Sequence, residues 1–408
     1  MKRRAATLAL LLLLAGCATV QPRDHVRAAV EVAFDRDGET GAAASGVADP
    51  ASGRRVTPDD PVRVASVSKL VVAIGVMRLV EQGRLALDED ASVKLGWRLR
   101  NPAYPDRPIT LRQLLSHTGS VRDQGDNYAL PLDGSVRDAM ADPRSWDPRH
   151  GPGDGYYTYS NLNFPIVASI MERATGERFD RLMKRLVLDP MTLDACYNWP
   201  TCADAEVARA VELDGPDGKP LKDDLHGHRP ACPVSLPKVG RCDLDRWRAG
   251  DNGAMFSPQG GLRISPRGLA RVGRMLLRGG EIDGVRVLTP ASVETMLAPQ
   301  WTYVGDNGDT DGGFSCRYGL AAQTLATRQA GCGDDPAGDG VAWIGHAGEA
   351  YGLRSGVWID RATGRGVAYY VTGLADHPER GRGGFFKAEE RAFRRAVGLG
   401  HDVSQTRH

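Results

Sequence analysis

The sequence has almost no net charge: 52 lysines and arginines stand against 51 aspartates and glutamates, leaving a formal value of +1. Sequence-independent binding to nucleic acid needs a basic excess that displaces counterions, so nucleic acid is set aside as a partner. No apolar run reaches the roughly 20 residues that a bilayer-spanning helix needs. Internal repeats are missing, and so are the tight C-x-x-C pairs usual in structural zinc sites. What is present, 408 residues that are 41% hydrophobic and 25% charged, is the composition of a folded globular chain with one large domain or two intimate ones.

The first residues carry an address. Lys2, Arg3 and Arg4 precede an apolar run over 8–14 that closes with Ala15, Gly16 and Cys17, the pattern of an export signal. Leu14-Ala15-Gly16-Cys17 also resembles a bacterial lipobox. That resemblance implies a signal over 1–16, a diacylglycerol on Cys17 as the mature N-terminus, and a short linker to residue 25. Ala18 in place of Asp implies sorting to the outer membrane, facing the periplasm. The alternative is an ordinary secretory signal with a chance cysteine.

Six cysteines remain after Cys17: Cys196, Cys202, Cys232, Cys242, Cys316 and Cys332. An even number in a chain bound for an oxidising compartment predicts three disulfides. About 15 pairings are open, and joining neighbours in order closes the shortest loops. A rival reading groups His226 and His228 with Cys232 and Cys242 around a metal. The favoured expectation is no metal and no cofactor.

Along the chain, residues 26–47 suggest two strands and a turn, and 67–80 a buried helix stopped by Gly83. Residues 84–160 suggest a loop-rich helical region. Helices are expected over 165–175, stopped by Gly176, and over 178–187, 266–278 and 385–397. Residues 195–255 read as a disulfide-pinned insertion and 301–340 as a second irregular stretch. A strand hairpin is expected where 355–360 and 367–372 flank the turn 361–364. The domain 26–398 is thus expected to be an α/β sheet unit with an all-α part inserted over about 84–250.

Three short motifs carry chemistry. Ser66-Val67-Ser68-Lys69 is an S-x-x-K tetrad that opens the buried helix, so serine and lysine share one face. A serine hydroxyl needs a base, and a lysine whose pKa is lowered by burial can supply it. A second copy, Ser235-Leu236-Pro237-Lys238, contains a helix-breaking proline and is set aside. Tyr159-Ser160-Asn161 offers a proton relay in Tyr159 and a substrate-orienting amide in Asn161. The plainer alternative is a turn capping a helix. His346-Ala347-Gly348 sits on or beside a strand, where a glycine lets substrate approach the backbone. His117-Thr118-Gly119 matches the same pattern but ends a helical run and is read as a helix stop.

S-x-x-K, Y-S-N and H-x-G in this order and spacing resemble the serine β-lactamase/penicillin-binding-protein superfamily. The likeness is nearest to class C β-lactamases, D-alanyl-D-alanine carboxypeptidases and family VIII esterases. It implies a β-lactamase/transpeptidase-like fold, an antiparallel sheet flanked by helices with an inserted all-α domain. It also implies Ser66 as nucleophile and Lys69 and Tyr159 as proton carriers. Asn161, His346 and Gly348 would bind substrate, and the N–H groups of Ser66 and Glu349 would form the oxyanion hole. Most class C enzymes have lysine where this chain has His346, which is largely neutral near pH 7, so efficient β-lactam turnover is disfavoured. Arg354 is either a replacement charge or a solvated strand residue.

The expected function is an envelope serine acyl hydrolase acting on an ester or a D-amino-acid-containing peptide. Its substrate would be a small-molecule or peptidoglycan-derived acyl compound, and its membrane contact the N-terminal lipid. The sequence names no protein partner. A true β-lactamase is the enzymatic alternative, and a catalytically silent envelope-binding protein the alternative of another class.

Overall fold

The computed structural model describes residues 26–402 apart from 216, 218, 223, 224, 376, 377 and 383; the signal-like segment, Cys17 and the linker to residue 25 lie outside the described residues. β1 (Ala28–Asp35) and β2 (Glu39–Asp49) form the expected hairpin. The Asp35 carboxylate caps its turn by accepting from the N–H groups of Asp37 and Gly38. β3 (Arg54–Arg55) extends that edge, and β4 (Val62–Arg63) leads directly to α1 (Val67–Glu81). Twelve of the 15 residues of α1 are buried. A helix apolar on every side belongs in a core, and Gly83, at φ 66°, follows its end as the sequence suggests.

The middle of the chain carries α2 (Ala91–Leu95), α3 (Leu111–Leu115), α4 (Val136–Ala141), α5 (Asn163–Thr175) and α6 (Phe179–Met183). Helix α3 is started by a capping box between Thr110 and Gln113. Helix α5 ends at Gly176 as expected but starts two residues earlier, which leaves Pro165 in the first turn where no N–H is required. β5 (Ala195–Tyr197), α7 (Asp204–Arg209) and the hairpin of β6 (Leu213–Asp214) and β7 (Pro220–Lys222) follow, and then β8 (Leu262–Ile264). Strand β8 pairs with both β4 and β5 in a small sheet, so the stretch 84–250 is not all-α. Three-residue strands are too short to show a period in sequence.

After α8 (Pro266–Leu277) come the hairpin of β9 (Glu281–Ile282) and β10 (Val285–Arg286), and α9 (Pro290–Leu297). β11 (Trp301–Thr302), β12 (Arg317–Tyr318) and β13 (Gln323–Thr324) correct the reading of 301–340 as wholly irregular, because all three join the main sheet. β14 (Ile344–Ala350), β15 (Leu353–Asp360), β16 (Arg365–Thr372) and α10 (Lys387–Asp402) complete the chain. The main sheet runs β11-β12-β13-β14-β15-β16-β1-β2-β3, antiparallel throughout. Side chains alternate across it. Val30, Val32, Val357 and Tyr370 pack in the core that contains α1 and α8, whereas Ala29, Trp358, Tyr369 and Val371 pack with α10.

The disulfides join Cys196 to Cys202, Cys232 to Cys242 and Cys316 to Cys332. This is the in-order pairing, and it removes the metal reading, since Cys232 and Cys242 spend their sulfurs on each other. The segment that follows the second disulfide is fastened to α5 by a buried carboxylate. Glu172 of α5 accepts hydrogen bonds from the N–H of Phe179, the indole of Trp247 and the N–H of Gly250, each at 2.9 Å. Removing that carboxylate orphans three donors at a site with no exposure. Glu172→Ala is expected to lower stability by about 3 kcal/mol, and Glu172→Gln by less, read as shifts of the urea midpoint of the purified protein.

Candidate active site

Ser66 sits at the junction of β4 and α1, in a backbone that Ala65 turns through φ 47°. One helical turn on, Lys69 is wholly buried, and its Nζ lies 2.8 Å from Ser66 Oγ, 2.8 Å from Asn161 Oδ1 and 3.0 Å from the Gln259 carbonyl. None of these three neighbours is a carboxylate. Burial therefore pulls Lys69 down to about 7, offset only in part by the more distant charge of Asp123. Ser68, between them, ties the helix to β8 by donating to the Ala65 carbonyl and accepting from the N–H of Leu262.

Tyr159 stands over the ammonium, with Lys69 Nζ 4.8 Å from its ring centroid. Burial raises its hydroxyl above the usual phenol range, and a hydrogen bond with Ser66 opposes part of that rise. The ring stacks on His117, centroids 4.4 Å apart. His117 ends α3 with φ 58°, as a helix stop should, and also supports the site. Its Nδ1 accepts from the N–H of Ser160 and faces Asn163 Nδ2 at 3.0 Å, and burial holds it well below the usual histidine range.

The group that sequence reasoning missed is Asp123. Its carboxylate accepts from Ser160 Oγ, the N–H of Asn161, Asn161 Nδ2 and the N–H of Leu162, at 2.8 to 3.0 Å. The whole Tyr159-Ser160-Asn161 turn is wound on this one side chain. Because Asn161 gives Nδ2 to Asp123, its Oδ1 is left to face Lys69. An aspartate 36 positions upstream in a turn-rich stretch offers no signal in a single sequence.

His346 lies on β14, as expected, and is buried. Its Nδ1 faces the Ala347 carbonyl at 2.5 Å and so carries the proton, which leaves Nε2 to accept from the Tyr318 hydroxyl at 2.7 Å. Burial, with Lys69 nearby, lowers it to about 3, so it is neutral at physiological pH. Gly348 has a nearer reason for being glycine than contact with substrate. A Cβ there would lie 2.3 Å from the Val64 carbonyl and 2.4 Å from Ser355 Oγ, with Ser66 N at 3.3 Å. The strand presses against the nucleophile's own backbone, and Ser355 fastens it by donating to Val64 O at 2.9 Å. Glu349 follows, paired across the hairpin with Arg354. Arg354 is not a solvated strand residue: it is 4% exposed and its Nη2 donates to Glu349 Oε1 at 2.6 Å.

Ser66, Tyr159, Asn161, His346, Gly348, Glu349 and Arg354 open on one cleft of about 1150 Å³, with Lys69 behind them. Its walls include Trp199, Leu225, Cys232 and Val234 from the disulfide-pinned stretch and Asp309, Asp311 and Phe314 from the 301–340 stretch. The second S-x-x-K copy is in no helix, and Lys238 is an exposed loop residue. Among the described residues, one grouping has three possible metal ligands, Asp49, Glu212 and His226. It is not part of the cleft lining, and the guanidinium of Arg27, paired with Asp214 and bonded to the Glu212 backbone carbonyl, lies within electrostatic reach of Glu212 and Asp49.

Comparison with known proteins agrees with this architecture. The chain is 33% identical over 171 residues to Esterase EstB of Burkholderia gladioli, covering 38% of this chain and 42% of that protein. It is 30% identical over 286 residues to penicillin-binding protein 4 of Amycolatopsis lactamdurans, covering 67% and 65%. These matches span less than two thirds of each relative's own length. The D-amino acid amidase of Ochrobactrum anthropi SV3, solved with D-phenylalanine, superposes with TM-score 0.64 over 94% of this chain and 95% of its own. At 19% identity, that likeness shows the fold alone. The beta-lactamase family model matches residues 15–391, and the chain belongs to that family of serine hydrolases.

Proposed function

We propose that the protein hydrolyses an ester or a D-amino-acid-containing peptide through a covalent acyl-enzyme on Ser66. The observation that carries this reading is a lysine with no exposure, held at about 7 by burial and 2.8 Å from a serine hydroxyl. At neutral pH a large fraction of such a lysine is unprotonated and can take the Ser66 proton as the oxygen attacks an acyl carbon. Tyr159, protonated at rest, gives its proton to the departing oxygen or nitrogen and is restored by the proton that Lys69 took from Ser66. The N–H groups of Ser66 and Glu349 receive the negative charge on the tetrahedral oxygen. Water then releases the acyl group and restores the serine. Relatives named as an esterase and, in Escherichia coli, as a D-alanyl-D-alanine-carboxypeptidase/endopeptidase support the two substrate classes.

His346 favours these over β-lactams, since a neutral imidazole bonded to Tyr318 supplies no cation for the β-lactam carboxylate. Localisation is part of the same proposal. A lipid on Cys17 would hold the domain at the envelope, and three disulfides suit an oxidising compartment.

Hydrolysis of p-nitrophenyl butyrate, nitrocefin and a D-alanyl-D-alanine peptide by wild type and Ser66→Ala tests the nucleophile. Loss of the preferred activity in the variant is expected. Equal inertness of both, with no labelling by a fluorophosphonate, would favour a binding protein instead.

The acid limb of kcat/KM reports the free enzyme's base. It is expected to rise through about pH 7 and then level off as Lys69 loses its proton.

Asp123→Asn removes a negative charge that raises the Lys69 pKa, so that limb should move to lower pH. The loosened Tyr159-Ser160-Asn161 turn should cost about 100-fold in kcat, the scale of an ångström of misplacement. An unmoved limb in Asp123→Asn would mean that Lys69 is not the group titrating.

A further inference from the structure

Away from the cleft, the fold brings three ionisable side chains together from distant parts of the chain. Asp49 ends β2, Glu212 immediately precedes β6, and His226 lies in the loop after β7. The Glu212 N–H donates to the Ala48 carbonyl at 3.0 Å, which sets the two acids side by side. One oxygen of each carboxylate and one ring nitrogen of His226 all lie within 4.8 Å of one another. His226 Nδ1 is 2.7 Å from Glu212 Oε1 and 3.5 Å from Asp49 Oδ1. The histidine that the sequence groups with two cysteines has two carboxylates beside it instead.

This group differs from an ordinary surface ion pair. The Glu212 side chain is only 5% exposed, and its Oε1 is buried and accepts no hydrogen bond among the described residues. The His226 nitrogen is close to that oxygen, yet no ring N–H is aligned on it. Proximity without an aligned donor is the relation of two atoms that share an ion. The acids also oppose each other, since burial and then the charge of Asp49 raise the Glu212 carboxyl. Adjacent carboxylates are relieved by a shared proton or by a cation, and a shared proton has no need of the imidazole. Arg27 is within electrostatic reach, but its terminal nitrogens are directed to the Asp214 carboxylate and the Glu212 backbone carbonyl, so it moderates the two charges from a distance.

The surroundings are those of a metal ligand. Asp49 is oriented by accepting from the N–H of Ala51 at 2.9 Å and from Ser52 Oγ at 2.5 Å. A carboxylate has about four lone-pair sites, so both oxygens can still ligate. The His226 side chain is 51% exposed, which gives an ion a route in and room for water beside it.

We propose that Asp49, Glu212 and His226 bind a divalent transition-metal ion that clasps the loop after β7 to the end of β2. Zinc is the best match to one imidazole and two carboxylates. The site is structural. None of its three ligands lines the cleft, so the ion takes no part in the chemistry at Ser66. Its effect passes through Leu225, the neighbour of His226, which lines the cleft and packs against Cys196, Trp199 and Cys202. Holding His226 holds that wall.

Metal binding to the untagged full chain tests this without reference to activity. Protein stripped with a chelator is titrated with Co²⁺, read by its visible absorption, and with Zn²⁺ in competition. One ion per chain is expected, with a zinc Kd of about 10 μM or tighter. His226→Asn removes the imidazole at an exposed loop position and suits the local φ of 47°. It should weaken zinc binding at least tenfold, and Glu212→Gln by about 100-fold, on a scale where loss of an outer partner alone costs about 10- to 100-fold. Ser52→Ala, which removes a support of Asp49, should cost about tenfold. Zinc at about a hundred times Kd should raise the thermal midpoint of wild type by a few degrees and leave that of His226→Asn unmoved. Zinc affinity that His226→Asn leaves unchanged, or wild-type binding no tighter than about 1 mM, would overturn the site and leave His226 and Glu212 as a plain ion pair.

Discussion

Everything at the site depends on keeping water away from one ammonium. Lys69 has no contacting carboxylate to stabilise its charge, and its neighbours are a hydroxyl, an amide oxygen and a backbone carbonyl. In that environment the charged form is penalised by desolvation, and the lysine becomes a base at neutral pH. The dryness has to be built, and the building shows in α1, which is buried on nearly every side. A more amphipathic helix at this position would bring solvent to the lysine and restore its charge. The placement of Asp123 follows the same logic. It is near enough to wind the Tyr159-Ser160-Asn161 turn and to moderate the lysine, yet contacts Asn161 rather than the ammonium.

Around that dry centre the main sheet supplies rigidity. Strand β14 lies against the backbone that precedes Ser66 so closely that only glycine fits at 348, and Ser355 bonds the next strand to the same carbonyl. The nucleophile is thus gripped from the helix side by Ser68 and from the sheet side by Gly348 and Ser355. Two segments of low periodicity supply walls of the cleft, and one of them also supplies Tyr318, which holds His346.

What could be read from sequence follows the length scale of each signal. The buried helix α1, the β1–β2 and β15–β16 hairpins and the stop at Gly176 lie in continuous runs, and their residues declare them. The S-x-x-K spacing states its own geometry, because three residues in a helix is one turn. His346 could be placed on a strand, and its neutrality anticipated. The strands β5, β11, β12 and β13 could not, for two or three residues carry no period and their partners are far along the chain. Asp123 and Tyr318 were invisible for the same reason: each matters only through a residue that folding brings beside it. Arg354 shows the limit most plainly. A lone arginine on a hairpin is usually solvated, and only the Phe386 ring, more than thirty positions later, buries it.

The disulfides have a consequence for how this protein meets a changing environment. Each closes a loop of only 6, 10 or 16 positions, so each restrains its own segment and none staples distant parts of the fold. Cys232 lines the cleft, and Cys316 stands two positions before Tyr318. Loss of these bonds in a reducing medium would soften the wall that chooses the substrate while the sheet and α1 kept the nucleophile in place. Redox state would then alter which molecules are accepted before it altered whether any are, and the boundary between selective and promiscuous behaviour would follow the compartment rather than the catalytic residues.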